Sequence, residues 1–225
     1  MKDAINNEFS DLWGQLESIL LTAMSTDKVF NQYRDCNNNF DLPNAPDIRR
    51  GNLRTYLEQA SRKGTFLIVG EAAGPWGCRF SGVPFTGEKQ LLDPYFPYRG
   101  TRSSLNVTLV PTRVNPPFIS RSAEAFWEIM LPYHSQFVVW DAFPLHSHKP
   151  GDVLTVRNPT KKEVSKFGEA LYLLKAFLKP ARIIAVGKKA FEELEALGET
   201  AEYVRHPSRG GKLAFASGTQ RLFKN

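Results

Sequence analysis

Apolar residues early in the chain recur at helical spacing. Phe9, Leu12, Trp13, Leu16, Ile19, Leu20 and Met24 fall on one stripe and predict an amphipathic helix. The stretch from Asn31 to Asn52, rich in Asn, Asp and Pro, predicts a long loop, and Leu53 to Ser61 a short helix. The period then changes. Thr65-Phe66-Leu67-Ile68-Val69-Gly70 is a short apolar run closed by glycine, the pattern of a strand buried on both faces. Three further runs share it: Phe137 to Ala142, Arg182 to Gly187, and Glu202 to His206. A helical pattern precedes each of them, over Ser122 to Leu131, Lys161 to Leu178, and Lys188 to Leu197. Asn106 to Val110 is a candidate fifth strand.

Strands alternating with helices predict an α/β fold, with a central, mostly parallel sheet of four to five strands flanked by helices on both faces. The length of 225 residues suits one domain, 1–225, with residues 1–52 as a helix and polar loop packed on it. No internal repeat interrupts this pattern. No apolar run approaches the roughly 18 residues of a membrane span. Met1-Lys2-Asp3-Ala4-Ile5-Asn6 has acidic and amide residues where a signal peptide carries an apolar core, so a cytoplasmic protein is expected. Cys36 and Cys78 are the only cysteines. Two are too few for a disulfide scaffold, a four-thiolate zinc site or an iron–sulfur cluster.

Lys and Arg number 29 against 23 Asp and Glu, a net charge of +6. The excess permits an anionic partner without proving one. Arg205, Arg209, Lys212, Arg221 and Lys224 gather near a glycine-rich stretch, and Arg49, Arg50 and Arg54 form a second cluster.

In open α/β sheets ligands bind at the carboxyl ends of the strands. Three segments follow strands directly: Gly70-Glu71-Ala72-Ala73-Gly74-Pro75-Trp76-Gly77, Asp141-Ala142-Phe143-Pro144-Leu145-His146, and His206-Pro207-Ser208-Arg209-Gly210-Gly211. They bring Glu, Asp and His to one sheet edge. The first lacks the G-x-G-x-x-G of a dinucleotide site, and no Walker A motif occurs. In the third, His206 stands where a nucleophile elbow has its first glycine, against a serine hydrolase. His146 and His148 have the spacing of a metal pair in extended chain but no third ligand at a fixed offset.

Taken together, Gly70-Glu71-Ala72-Ala73-Gly74, Gly82-Val83-Pro84-Phe85-Thr86, Trp140-Asp141-Ala142-Phe143-Pro144 and His206-Pro207-Ser208 resemble the motifs of the uracil-DNA glycosylase superfamily. The likeness spans residues 65 to 218. The first loop is most similar to the thermostable iron–sulfur branch, without its four cluster cysteines. The resemblance implies a three-layer sandwich and a monofunctional DNA glycosylase without cofactor or metal. The enzyme would act as a monomer on the phosphate backbone and one extrahelical base of DNA. His206 would hydrogen-bond the pyrimidine O2 as negative charge collects there. Glu71 would position or activate water, with Glu88 as second choice, because Ala72 stands where the best-known branch has Asp. Phe85 would stack on the base, beside Ala72. Ser208 would contact a phosphate, and Arg209, Gly210, Gly211, Lys212 and Leu213 would enter the minor groove.

The superfamily usually has Asn at the position of Asp141. An Asn amide donates to uracil O4 and accepts from N3–H, whereas an ionised carboxylate only accepts. Asp141 therefore points to a cytosine edge, and with it a modified cytosine (hydroxymethylated or glucosylated) in phage defence. A protonated Asp141 would leave uracil, and DNA repair, as the alternative. A non-catalytic DNA-binding module is the rival from another class, and the extra polar stretch from Asp93 to Ser104 has no assigned role.

Overall fold

The computed structural model describes residues 2–61, 65–107 and 115–224. In chain order the elements are α1 (Lys2–Thr22), β1 (Val29–Phe30), α2 (Ala45–Ser61), β2 (Phe66–Ala72), α3 (Cys78–Ser81), α4 (Glu88–Leu92) and α5 (Arg121–Met130). After them come β3 (Phe137–Phe143), β4 (His146–Ser147), α6 (Lys161–Ser165), α7 (Gly168–Leu178), β5 (Arg182–Val186), α8 (Lys188–Ala196), β6 (Glu202–Val204) and α9 (Lys212–Lys224). A single 3-10 turn, Leu131–Tyr133, links α5 to β3.

The four apolar runs form one parallel sheet in the order β3-β2-β5-β6. Val69 lies level with Trp140 on one side and Ala185 on the other, and Gly70 is level with Asp141. All seven residues of β3 are buried, as a strand covered on both faces requires. Helices flank the sheet, and the apolar stripe of α1 (Phe9, Leu12, Trp13, Leu16, Leu20) joins the same core as β2, β3 and β5. A separate antiparallel pair, β1 with β4, sets Phe30 opposite His146.

Four features differ from the sequence pattern. Helix α2 begins at Ala45, inside the stretch expected to be loop. Its inward face is Ala45, Arg49, Asn52, Leu53, Tyr56, Leu57 and Ala60. Two of those positions are polar, so an apolar count misses the helical period. Arg49 pairs with Asp41, and the Asn52 amide donates to the carbonyls of Ser81 and Thr101. Second, Lys161 to Leu178 is two helices, broken at Lys166 and Phe167, with Thr160 and Glu163 forming a capping box on the first. Third, Asn106 and Val107 are in no strand, and the rest of the candidate fifth strand, 108–110, lies outside the described residues. Fourth, the chain after His206 makes a short turn and then the helix α9, so Lys212 and Leu213 are helical rather than loop residues.

Candidate active site

The carboxyl edge of the sheet opens into a cleft of about 570 Å³. Its lining includes Glu71, Ala72, Phe85, Asp141, His206, Ser208 and Arg209. The ends of β2, β3 and β5 and the loop after β6 meet there because parallel strands all end on the same side, and loops bearing Phe85, Ser120 and Val156 to Asn158 complete the lining.

Glycine makes the floor possible. A Cβ on Gly70 would overlap Asp141 Oδ1 and lie 2.7 Å from Phe85 Cε2. The Asp141 carboxyl and the Phe85 ring both close over that bare backbone. Phe85 has φ of 53° and packs one face on Phe126, with centroids 4.4 Å apart. Its turn is fixed from behind. The Ser81 hydroxyl donates to the Thr86 carbonyl at 2.6 Å and accepts from Val83 N–H at 3.0 Å. Gly82, at φ 77°, sits against the Arg49 backbone where no side chain fits.

His206 has a defined tautomer. The Ser208 backbone N–H lies 3.1 Å from its Nδ1, and the Ser208 hydroxyl 2.8 Å. An N–H can only donate, so Nδ1 accepts and the ring proton of the neutral form sits on Nε2. Burial, then Arg205 and Arg209, lower its pKa to about 4. The ring is thus a neutral donor across the ordinary pH range. Gly187 and Gly211 leave the room it needs: a Cβ on Gly187 would come 3.1 Å from His206 Cβ, and one on Gly211 would overlap the His206 carbonyl.

The carboxyls form a group. Asp141 is 3% exposed, and burial, reinforced by Glu71, raises its pKa to about 8. Glu71 is half-buried at the end of β2. Burial raises its pKa too, Lys189 opposes that, and Glu192 adds to it. Among the described residues Glu71 Oε1 has no hydrogen-bond partner. Glu193 on α8 is pushed to about 9 by burial and then by Glu71 and Asp141. The cleft therefore holds a neutral Asp141 beside a carboxyl with an unused acceptor.

Other expected site residues lie elsewhere. Glu88 is fully buried. Its Oε1 accepts from the N–H groups of Ser103 and Ser104 at 2.7 and 2.9 Å. Its Oε2 accepts from the Ser104 hydroxyl at 2.6 Å and Phe118 N–H at 3.2 Å. Those bonds hold the loops behind Phe85 and leave nothing for water. Gly211 is buried under His206, while Gly210 is exposed at φ 76°. Lys212 pairs with Glu128 of α5 at 2.5 Å. Arg221 and Lys224 occupy the last turn of α9, on the order of 15 Å along the helix from Lys212, so the C-terminal basic residues do not form one patch. The second basic cluster dissolves as well: Arg49 is buried on Asp41, and Arg50 bonds Glu17, Asp47 and the Tyr33 carbonyl. Both ring nitrogens of His146 face carbonyl oxygens, of Ala73 and Val153, so neither is aimed at a space that a metal could fill.

The sequence pattern missed three walls: Ser120 and Ser122, Val156 to Asn158, and Gly187 to Lys189. The last follows β5 directly, so the strand-end rule applied to that strand points to it. Ser120 carries the helix-start signal, its hydroxyl accepting from Ala123 N–H at 3.1 Å. Val156 to Asn158 has no local signal.

A parallel sheet whose carboxyl edge gathers a neutral imidazole donor, an aromatic platform and buried carboxyls has the equipment of a base-excising glycosidase. A family model described as the Uracil DNA glycosylase superfamily matches residues 59–220, and the chain belongs to that superfamily. Among solved structures it is similar to SMUG2 of Pedobacter heparinus, at 14% identity over 95% of this chain and 97% of that one, with a TM-score of 0.61. That likeness is one of fold. No curated protein sequence matches the chain. No helix among the described residues is long and apolar enough to cross a membrane.

Proposed function

We propose that this chain is a monofunctional DNA glycosylase that takes one extrahelical pyrimidine into the cleft and hydrolyses its N-glycosidic bond, with uracil as the base. The observation that carries this is the burial of Asp141 against Glu71, which keeps the carboxyl neutral up to about pH 8. A neutral carboxyl donates through O–H and accepts through C=O, as an Asn amide does. It can donate to uracil O4 and accept from N3–H. A neutral Asp141 thus supports uracil as the base, where an ionised carboxylate would favour a cytosine edge.

The other residues take roles around the base. Phe85 offers the free face of its ring for stacking. His206 Nε2–H donates to O2 as the C1′–N1 bond breaks and its electron pair passes to the base. Glu71 accepts a proton from the water that adds to C1′. Lys189 favours the ionised form of Glu71 that this requires, and Ala72 leaves the space beside it open. A base leaving as an anion, met by a preorganised donor, costs no reorganisation at the moment of reaction. Lys189 is held protonated through Glu192, which argues against an amine nucleophile and for simple hydrolysis to an abasic site. Ser208 and Arg209 at the cleft mouth suit the phosphates. Leu213, 82% exposed in the first turn of α9, is an apolar side chain fitted to the gap left by the flipped base. No step calls for a metal, and the enzyme works as a monomer.

A second substrate class has a specific observation behind it. A neutral carboxyl also complements cytosine, accepting from the 4-amino group and donating to N3. A Cβ on Gly74, at the cleft wall, would meet nothing within 4 Å, so the wall has room for a substituent. A hydroxymethylated or glucosylated cytosine, and with it phage defence, is the alternative.

The test is base release, in EDTA, from matched oligonucleotides carrying uracil, cytosine, hydroxymethylcytosine or glucosylated hydroxymethylcytosine. Release of uracil by both the wild type and Asp141→Asn is expected. Release of a modified cytosine alone would transfer the proposal to the second substrate class. Binding of DNA without release of any base would make the chain a binding module.

A further inference from the structure

His146 is fully buried on β4, outside the set of residues that would touch the base. Its Nδ1 lies 2.7 Å from the Ala73 carbonyl and its Nε2 lies 2.8 Å from the Val153 carbonyl. Ala73 follows directly on Glu71 and Ala72 and lines one wall of the cleft. Val153 belongs to the segment that continues into Val156, Arg157 and Asn158, the opposite wall. One imidazole therefore bridges the two walls.

Carbonyl oxygens cannot donate, so both contacts are hydrogen bonds only when both ring nitrogens carry protons. The charged and titratable groups that face the ring are Arg79 and His148, the latter with its ring stacked 5.7 Å away. Burial opposes a positive charge there most strongly, the Ala73 and Val153 carbonyls favour it, and Arg79 and His148 oppose it, with the pKa lowered to about 4. A neutral ring has one proton for two acceptors. Whichever nitrogen lacks it sets a lone pair against a lone pair.

The wall segment is tied to the body of the protein by this contact and by the Gly151 N–H, which donates to the Asp27 carbonyl at 3.4 Å. Leu154 N–H and the Thr155 hydroxyl bond to Asp152 within their own turn, and Lys149 N–H donates to Thr155. Further on, Arg157 is fixed separately, by Ser147 and by Glu163. Between those anchors, among the described residues, the His146 ring is the side chain that ties the turn to the body of the protein.

We propose that His146 is a positioning residue that couples the two cleft walls: its single proton bonds Val153 in one tautomer and Ala73 in the other, so the wall segment is held in the first and released in the second. DNA seated against Val156 to Asn158 selects the Nε2–H tautomer, which fixes that wall through Val153. The DNA part of this rests on the proposed function; the clamp itself does not.

Two measurements test it. Hydrogen exchange of the free protein compares wild type, His146→Phe and His146→Gln. Losing one net hydrogen bond corresponds to about two- to tenfold faster opening. That increase is expected over residues 152–158 in His146→Phe, with β2 and β5 unchanged and partial recovery in His146→Gln, which keeps one donor. In the same variants KM should rise more than the single-turnover rate falls. Nitrogen-15 NMR of the wild-type imidazole, with and without a duplex carrying a tetrahydrofuran abasic analogue, needs no substitution and decides the matter should His146→Phe fail to fold. A shift of the ring proton toward Nε2 on binding is expected. Unchanged exchange over 152–158, or one fixed tautomer in both states, overturns the proposal. Failure of the wild type to release any base, with the exchange result intact, would count against the proposed function alone.

Discussion

If Asp141 reads the base as a neutral acid, uracil excision must fail as it ionises. Its pKa is about 8, so the neutral fraction falls from about 90% at pH 7 to about 10% at pH 9. An ionised Asp141 loses the donor for O4 and leaves a buried charge facing an oxygen. An unmade bond of that kind costs about 1–3 kcal/mol, more for a charged group, enough to make the ionised enzyme a minor contributor. kcat/KM for uracil should therefore drop about tenfold per pH unit above pH 8. Asp141→Asn retains donor and acceptor and does not titrate, so this alkaline limb should vanish in the variant. Stability carries the same signature with a definite sign. In the unfolded chain the carboxyl ionises near its ordinary value of about 3.9, whereas the native state keeps the proton to about pH 8. Between those values the native state binds the extra proton, so stability falls as pH rises, by up to about 1.4 kcal/mol per pH unit. Asp141→Asn removes that contribution, so its advantage in urea unfolding should grow from pH 5 to pH 8. Glu193 titrates in the same direction and is coupled to Asp141, so the difference reports Asp141 together with the change it makes at Glu193. A flat wild-type profile from pH 7 to 9.5, or an alkaline limb that survives in Asp141→Asn, would refute the neutral-reader argument.

Three further outcomes follow from contacts in the cleft. His206→Ala removes the donor for the departing base and should lower the single-turnover rate by about 10²–10³, while DNA affinity, measured by anisotropy, stays within a few-fold; equal losses in both would point to a collapsed loop. Gly70→Ala places a methyl where Asp141 and Phe85 meet, so base release should be lost with little change in DNA binding, and an active variant would show that the floor opens. Glu88→Ala strips the acceptor from three backbone N–H groups and should cost on the order of 3 kcal/mol or more in denaturant unfolding; lost catalysis at full stability would instead make Glu88 a chemical participant.

Much of the frame was legible along the chain. The strands β2, β3 and β5 are apolar runs, and a strand buried on both faces can be little else; β6, at the sheet edge, buries only Val204. The convergence of Glu71 and Asp141, at the carboxyl ends of β2 and β3, with the loop bearing His206 follows from those strands, since parallel strands place their carboxyl ends together. Helix α2 was obscured because it turns Arg49 and Asn52 inward, where Asp41 and the Ser81 and Thr101 carbonyls satisfy them. Apolar periodicity is silent about a polar group whose partner is distant in sequence.

Local pattern accordingly specified the sheet, its direction and the residues gathered at its edge. What those residues are chemically is a matter of tertiary environment. Asp141 is a neutral acid because it is buried beside Glu71. Glu88 is a structural anchor because Ser103, Ser104 and Phe118 close on it. His206 is an Nε2–H donor because the Ser208 N–H meets Nδ1. Protonation, tautomer and hydrogen-bond capacity depend on solvent exclusion and on neighbours brought from far along the chain, and residue type alone encodes neither.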